Sequence, residues 1–500
     1  MRVPDEHGYR FEPLQRRSVV LGLGWAQLVA AALCVVSAVS FFRAWPGLPG
    51  LVAAVAVLAA GVLGCRPAGG RLPGEWASLG GRFGLRRRRH QGSVPVSLAT
   101  VADGGSSLRR SVVLGPARAV APLAGVAGGL RVVELDAVGG QGAMGAVLDR
   151  KEGTLVAVLS ATGPTFCLAD RAEQERRLAS WAAVMESVGA HRNGLWRLQW
   201  CQRALPAARG PMVEALRATA RGGGRCGPDR GGGHDSGGAD PALEDHAGFV
   251  AEAESISWRH ETLVVVAVRC SDRRRETLVA AGARLRSAVS GLRSQLLGGG
   301  FGCDGPLGAA PLARALCVPL AAGPHEAEVY AGGARRSSVM EHWSAVEVDG
   351  WWHRTYWVTQ WPLSQVAPDF LSPLLSGPGR RCFSVVFRPL PPERAVRDAE
   401  ASRTAQLADA QLRAQGGFIE TARHRRRAQA VEGREERLAD GRAGFEFAGY
   451  VTLSAASRAE LDDAGADLWH SAGCARLRLQ VLYGQQQEAL SWSLPLGRGL

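Results

Sequence analysis

The chain opens on two uninterrupted apolar runs. Residues 19–42 carry no charged side chain over 24 positions, and their polar members are Gln27, Ser37 and Ser40. Arg43-Ala44-Trp45-Pro46-Gly47 makes a turn, and residues 48–65 form a second uncharged run of 18. A helix needs about 20 residues to cross a bilayer core, and each mid-bilayer charge costs roughly 2.5–3.5 kcal/mol on insertion scales. The pattern predicts a transmembrane helical hairpin. A cleaved signal peptide is the competing reading, with Arg16 and Arg17 as its basic region. The first run is longer than an ordinary signal-peptide core, and a second comes at once after it. Arg2, Arg10, Arg16 and Arg17 precede the hairpin, Arg66, Arg71, Arg82 and the run 86–89 come after it, and Arg43 alone lies between. The positive-inside rule then predicts both termini on the cytoplasmic side. Trp76, Leu79 and Phe83 recur at helical spacing just before the arginine run. Two readings stand for this stretch: an amphipathic helix at the headgroups, or a plain linker weakened by Gly80, Gly81 and Gly84.

Beyond residue 90 the pattern changes. Residues 91–129 are rich in Ser, Gly, Ala and Pro and read as a linker. Residues 131–135, 145–149 and 154–160 read as strands, and Asp170 caps a helix with Leu178, Trp181, Met185 and Val188 on one face. Residues 195–201 alternate through Trp196, Leu198 and Trp200, completing β-β-β-α-β over the unit 130–220. The stretch 221–240 is a glycine-rich breaker. In the unit 241–500, a short helix and a strand at 261–268 lead to a long helix, 271–297. Its stripe is Leu278, Leu285, Val289, Leu292 and Leu296. Strands at 346–348 and 352–361 flank the hairpin pair Asp349-Gly350. A strand at 382–388 comes next, then two Ala-, Arg- and Glu-rich helices, 391–414 and 419–440, with little apolar surface. The end reads β-α-β-β, with strands at 445–453, 476–482 and 489–494. The predicted fold class is α+β: a membrane hairpin, 1–90, then cytoplasmic mixed or antiparallel sheets with helices.

Composition narrows the chemistry. The net charge is +13, and Lys151 is the sole lysine. Richness in Ala, Gly and Arg reflects GC-rich coding first and chemistry second. A basic balance suits nucleic acid, but it equally suits a protein beside an anionic membrane. The ten cysteines include no C-x-x-C pair, which points to a reducing compartment rather than a disulfide framework or a zinc site. Gly140-Gln141-Gly142-Ala143-Met144-Gly145 matches G-x-G-x-x-G, but strand-like residues come next where a phosphate cradle needs a helix N-terminus. His234-Asp235-Ser236-Gly237-Gly238 resembles a serine-protease nucleophile region, but it sits in the glycine-rich stretch and lacks a preorganised base. No phosphate-binding loop with its lysine exists, and the eleven histidines show no metal-ligand spacing. Arg423, Arg425, Arg426 and Arg427 cluster on a predicted helix without interleaved aromatics, so a solvated face is favoured over DNA contact. Catalytic, cofactor-binding and metal-ligating residues are therefore assigned to none of the positions, and no cofactor is expected.

Several stretches carry a resemblance. Tyr9-Arg10-Phe11-Glu12-Pro13-Leu14 ahead of the hairpin, with Glu75-Trp76 and the arginine run after it, resembles the PrgI-type two-helix head of actinobacterial membrane proteins associated with conjugation. Arg197-Leu198-Gln199-Trp200, Trp258-Arg259-His260-Glu261-Thr262, Thr355-Tyr356-Trp357 through Trp361-Pro362, Pro368-Asp369-Phe370-Leu371 and Ser493-Leu494-Pro495-Leu496-Gly497 look like the same family. The cytoplasmic part is similar to the N-terminal domain of type IV secretion ATPases, with the motor absent. The resemblance implies a non-enzymatic scaffold of a conjugation or type IV-like secretion system, multi-pass in the inner or plasma membrane. Its implied partners are membrane lipids, a separate motor ATPase, other inner-membrane subunits and further copies of itself. The rivals are a type VII secretion membrane subunit, a membrane-tethered DNA-binding protein, and an enzyme with an unfamiliar site.

Overall fold

A computed structural model describes residues 25–65, 71, 73–89, 130–135, 142–162, 166, 169–191, 194–206, 211–222, 241–256, 258–270, 275–320, 338–417 and 419–500. The described residues form an α+β protein in which every strand pairing is antiparallel.

The chain begins with helices α1 (Trp25–Ala44) and α2 (Leu48–Cys65), packed on each other through a tight reversal. Gly47 adopts a positive φ of 114°, and a side chain at Gly50 would collide with the Trp45 carbonyl. Further along, Gly61 lies against Cys34, where an added Cβ would come within 2.8 Å of its Sγ. Among the described residues no helix is long and apolar enough to cross a membrane. The 18 residues of α2 rise only about 27 Å against roughly 30 Å of hydrocarbon. α1 runs into Arg43 in its last turn, and residues 19–24 of its apolar run lie outside the described residues. Helix α3 (Pro73–Arg89) comes next.

Among the described residues, the rest is one element series traced twice. The first copy runs β1 (Leu130–Leu135), β2 (Met144–Asp149), β3 (Thr154–Thr162), α4 (Arg171–His191), β4 (Leu195–Pro206), α5 (Pro211–Gly222), α6 (Pro241–Ile256), β5 (Trp258–Arg269), α7 (Arg275–Gly298), β6 (Gly302–Pro306) and α8 (Ala309–Cys317). The second runs β7 (Val339–Glu341), β8 (Val346–Val348), β9 (Trp351–Gln360), α9 (Ser372–Leu375), β10 (Arg380–Pro389), α10 (Pro392–Gln415), α11 (Ala422–Ala439), β11 (Phe445–Ala455), α12 (Arg458–Cys474), β12 (Arg478–Val481) and α13 (Gln486–Ser493). Both copies read β-β-β-α-β-α-α-β-α-β-α. They join into one 12-stranded sheet of order β1-β2-β3-β5-β4-β10-β11-β9-β8-β7, with β6 also on β3 and β12 also on β9. That order is palindromic about the β4–β10 pair. The glycine-rich segment lies inside the first copy, between α5 and α6.

Each face of the sheet has its own core. On one face Val133, Ala157, Val264 and Val266 pack under the α7 stripe of Leu285, Val289, Leu292 and Leu296. On the same side Tyr356, Val358, Val385 and Leu453 pack under Leu461 and Leu468 of α12. On the other face Val156, Val158, Val265 and Ala267 meet Leu312 and Leu316 of α8, Leu490 of α13, and Leu494 and Leu496 of the tail. The α4 cap forms as the sequence predicts, with Asp170 Oδ1 accepting from the Glu173 amide at 2.8 Å.

One expected element is corrected. Residues 489–494 alternate apolar and polar, which predicts a strand, but they belong to helix α13 and the turn after it. Ser491 and Ser493 donate to the carbonyls of Glu488 and Leu490, so these serines need no solvent face and are buried. Period-two alternation then loses its meaning.

Candidate functional site

Helix α3 meets the second copy through an aromatic cluster. Its Trp76 lies 6.1 Å from Trp343 and 5.7 Å from Tyr483 between ring centroids, and its Phe83 meets Trp343 edge-on at 5.3 Å. Trp343 and Tyr483 stack at 6.2 Å. Arg86 extends the contact one turn further: its guanidinium donates to the Gly484 carbonyl and lies 3.6 Å from Glu341. Glu341 also accepts from the Gln487 amide. Leu79, between Trp76 and Phe83 in sequence, is buried.

The receiving surface is built from two turns. Trp343 precedes β8 and Tyr483-Gly484 comes after β12, and the Gly484 amide donates to the Trp343 carbonyl at 2.8 Å. Gly484 has a φ of +67°, and a Cβ there would come within 2.7 Å of the Trp343 ring. Only glycine satisfies both conditions. The aromatic side chains of α3 thus pack on protein: the helix of the first sequence reading forms in place of a plain linker, and its aromatic spacing serves this contact. The helical spacing of Trp76 and Phe83 is visible in the sequence; Trp343, Tyr483 and Glu341 are not, because nothing local marks them as partners of a helix some 260 residues away or more.

Where the motifs with a chemical look fall on described residues, they have structural contacts. Gly145 lies in β2, and no helix comes directly after it. Its amide donates to the Leu307 carbonyl, and a Cβ would stand 2.6 Å from the Gly308 carbonyl carbon. This glycine admits the start of α8, not a phosphate. Gly140 and Gln141 lie outside the described residues, as do His234, Asp235 and Ser236. Lys151 sits in the β2–β3 turn, where Asp149 Oδ1 accepts from the amides of Lys151 and Glu152 and the Lys151 Nζ lies 3.4 Å from Glu488. His260 and Glu261 are in β5, with Glu261 bridging Arg203 at 2.7 Å and Arg259 at 2.6 Å. Burial and the Arg381 charge hold His260 below its ordinary range. Among the described residues no three His, Cys, Asp or Glu side chains come together as a metal site.

A buried polar seam runs under the C-terminal tail. Arg498 Nε donates to Asp149 Oδ2 at 2.6 Å, with both side chains almost wholly buried. The Gln199 amide nitrogen donates to Ser384 Oγ and the Leu494 carbonyl, while its oxygen accepts from the Gly497 amide at 2.7 Å. Arg197 reaches the Gly497 carbonyl, and Gln486 brackets the Thr355 backbone. Cys201 and Cys382 face each other at 3.3 Å where β4 and β10 join the two copies. The neighbouring thiol and burial push Cys382 well up from its ordinary range. His353, fully buried, hydrogen-bonds Ser454 through Nδ1, and burial beside Arg380 pushes it down to about 3. Arg197 Nε and His353 Nε2 have no hydrogen-bond partner among the described residues, and Arg498, Gln199 and Arg197 fasten the tail across both copies.

The second conspicuous surface is the α10·α11 arm. The two helices pack mainly on each other and are fastened midway along α10 by Arg403 to Glu432 and Glu435. Buried contacts stop at Ala395, Ala399, Leu438 and Leu390. Farther out, Leu407 and Leu412 are exposed, and Ile419 is 88% exposed. The sequence cluster Arg423, Arg425, Arg426 and Arg427 lies here, on the exposed N-terminal turns of α11, with Arg423 reaching Gln360. No protein-family model matches the chain, and no curated protein matches it.

Proposed function

We propose that the protein is a non-enzymatic scaffold, anchored in the cell membrane by α1 and α2, that serves a conjugation-type secretion machine and docks a separate motor ATPase. The observation that carries the anchoring is the exposure of the helical hairpin: Val29, Leu33, Val36, Val52 and Val55 are each more than half exposed. Soluble proteins rarely leave a contiguous apolar surface of this kind uncovered, and lipid is the solvent that suits it. A shortfall of a few ångströms in helix length is within what bilayer thinning and flanking arginines accommodate at modest cost. The aromatic contact of α3 then fixes the α+β body relative to the anchor, which is what a scaffold needs. The secretion assignment rests on the resemblance of the head and of the body's sequence stretches.

The test is affinity purification of tagged full-length protein from membranes in mild detergent, with the co-purifying proteins identified by mass spectrometry. Co-purification of a type IV-like motor ATPase is the expected result. Co-purification of type VII subunits would replace the assignment. Recovery from the soluble fraction without any secretion subunit would overturn the proposal.

A further inference from the structure

The two copies differ in charge at the helix pair inserted between their fourth and fifth strands. In the first copy this is α5·α6: α6 carries Glu244, Asp245, Glu252 and Glu254 with no lysine or arginine, and α5 carries Arg217, which bridges Glu244 at 2.9 Å, and Arg221, so acidic side chains outnumber basic ones on the pair. In the second copy it is the α10·α11 arm, where Arg423, Arg425, Arg426 and Arg427 occupy two turns of α11 without an acidic residue among them. Both pairs also expose large apolar side chains. Phe249 is 71% exposed and Met212 is exposed on the acidic pair, and Leu407, Leu412 and Ile419 are exposed on the basic arm.

Their placement keeps the two surfaces apart within one chain. The acidic pair leaves after Pro206 and returns at Trp258, which are paired across β4 and β5. The basic arm leaves after Pro389 and returns at Phe445, paired across β10 and β11. Strands β4 and β10 are antiparallel neighbours, with Ala204 opposite Arg381 and Leu198 opposite Phe387. The helix pairs therefore emerge at opposite ends of the central strands, separated by the roughly 30 Å that ten strand residues span. Opposite charge at opposite ends of one molecule is complementary between copies.

We propose that the protein self-associates head to tail, the basic α10·α11 arm of one copy docking on the acidic α5·α6 pair of the next. Apolar side chains supply the contact area, and the charges set orientation and exclude arm-to-arm pairing. Such a heterologous contact extends into a ring if its rotation closes. Nucleic acid fits the arm less well, since no aromatic side chain stands among the arginines for bases to stack on. The contact does not depend on the membrane anchoring.

The experiment is mass measurement of full-length protein in mild detergent, for wild type and two charge-reversed variants. One carries Arg423→Glu, Arg425→Glu and Arg426→Glu; the other carries Asp245→Arg, which leaves the Arg217–Glu244 bridge within the pair untouched. Wild type is expected to form oligomers that dissociate with added salt, and each variant alone is expected to associate at least about ten-fold more weakly. Mixing the two variants restores matched charges at each contact and is expected to restore association. All the substituted side chains are exposed, and hydrogen exchange of β4, β5 and β10 checks that the sheet is intact. Monomeric wild type, or oligomers indifferent to both reversals, overturns the proposal. So does an arm whose reversal abolishes binding to an oligonucleotide or to anionic vesicles while leaving oligomer mass unchanged.

Discussion

The two copies of the β-β-β-α-β-α-α-β-α-β-α series share a topology and divide the labour. In the first, β3 and the latter half of β5 are rich in Val, Leu and Ala, and α7 lays 24 residues across the sheet. In the second, aromatic and polar side chains enter the strands, as in Trp351-Trp352-His353-Arg354-Thr355-Tyr356-Trp357, and the element matching α4 shrinks to the four residues of α9. The first copy is mainly packing. The second receives α3 and carries the long arm. The difference teaches that strand order and alternation are enough to hold the architecture, while exposed insertions and turn residues are free to take on recognition.

The comparison breaks most severely where the copies are fastened together. Asp149 belongs to the first copy, and Arg498 lies beyond the last element of the second. Asp149→Ala removes the carboxylate that faces the buried Arg498 guanidinium, and a loss of about 3–5 kcal/mol is expected. Denaturant unfolding of the detergent-solubilised chain reads it, with both copies affected together. A core truncation sharpens the contrast: Leu285→Ala in α7 is expected to cost about 2–5 kcal/mol, whereas Leu407→Ala on the exposed arm stays within about 0.5 kcal/mol.

A third prediction concerns pH and the polar strands of the second copy. His353 is held neutral, down to about 3, against an ordinary value of 6.5. Between those limits the unfolded chain binds the proton that the folded chain refuses. Stability therefore falls as pH drops below about 6.5, by at most about 1.4 kcal/mol per pH unit from this group. Unfolding midpoints between pH 7 and 5 should show that slope, and His353→Gln should remove its share whatever its effect at pH 7. The smallest effect on the body is expected from Trp343→Ala, which releases α3. Hydrogen exchange in α3 should rise and trypsin should cut near Arg86, while the sheet is protected as before.

Much of this architecture is legible in the chain. Alternation places the opening β-β-β-α-β, Asp349-Gly350 marks its hairpin, and the apolar stripe of α7 faces the core as its spacing predicts. The duplication is not legible, because the copies keep no common period: α4 has 21 residues where α9 has four, and β2 has six where β8 has three. Short elements such as β6, β7 and α8 escape sequence reading, since their few residues carry too little pattern without the sheet beside them. At the α3 contact, one side is readable as helical aromatic spacing. The other side exists only after two turns distant from each other in sequence have folded together. The arginine cluster is visible throughout, but the acidic helix at the opposite end gains meaning only from the register of β4 and β10.

Membrane anchoring by the hairpin is tested most directly by alkaline carbonate extraction of membranes from cells making the full-length protein. A chain held by α1 and α2 stays with the membrane pellet, and Val36→Arg combined with Val55→Arg moves it into the supernatant. Complete release of the wild-type protein by carbonate would contradict the anchoring, and with it the scaffold assigned to the α+β body.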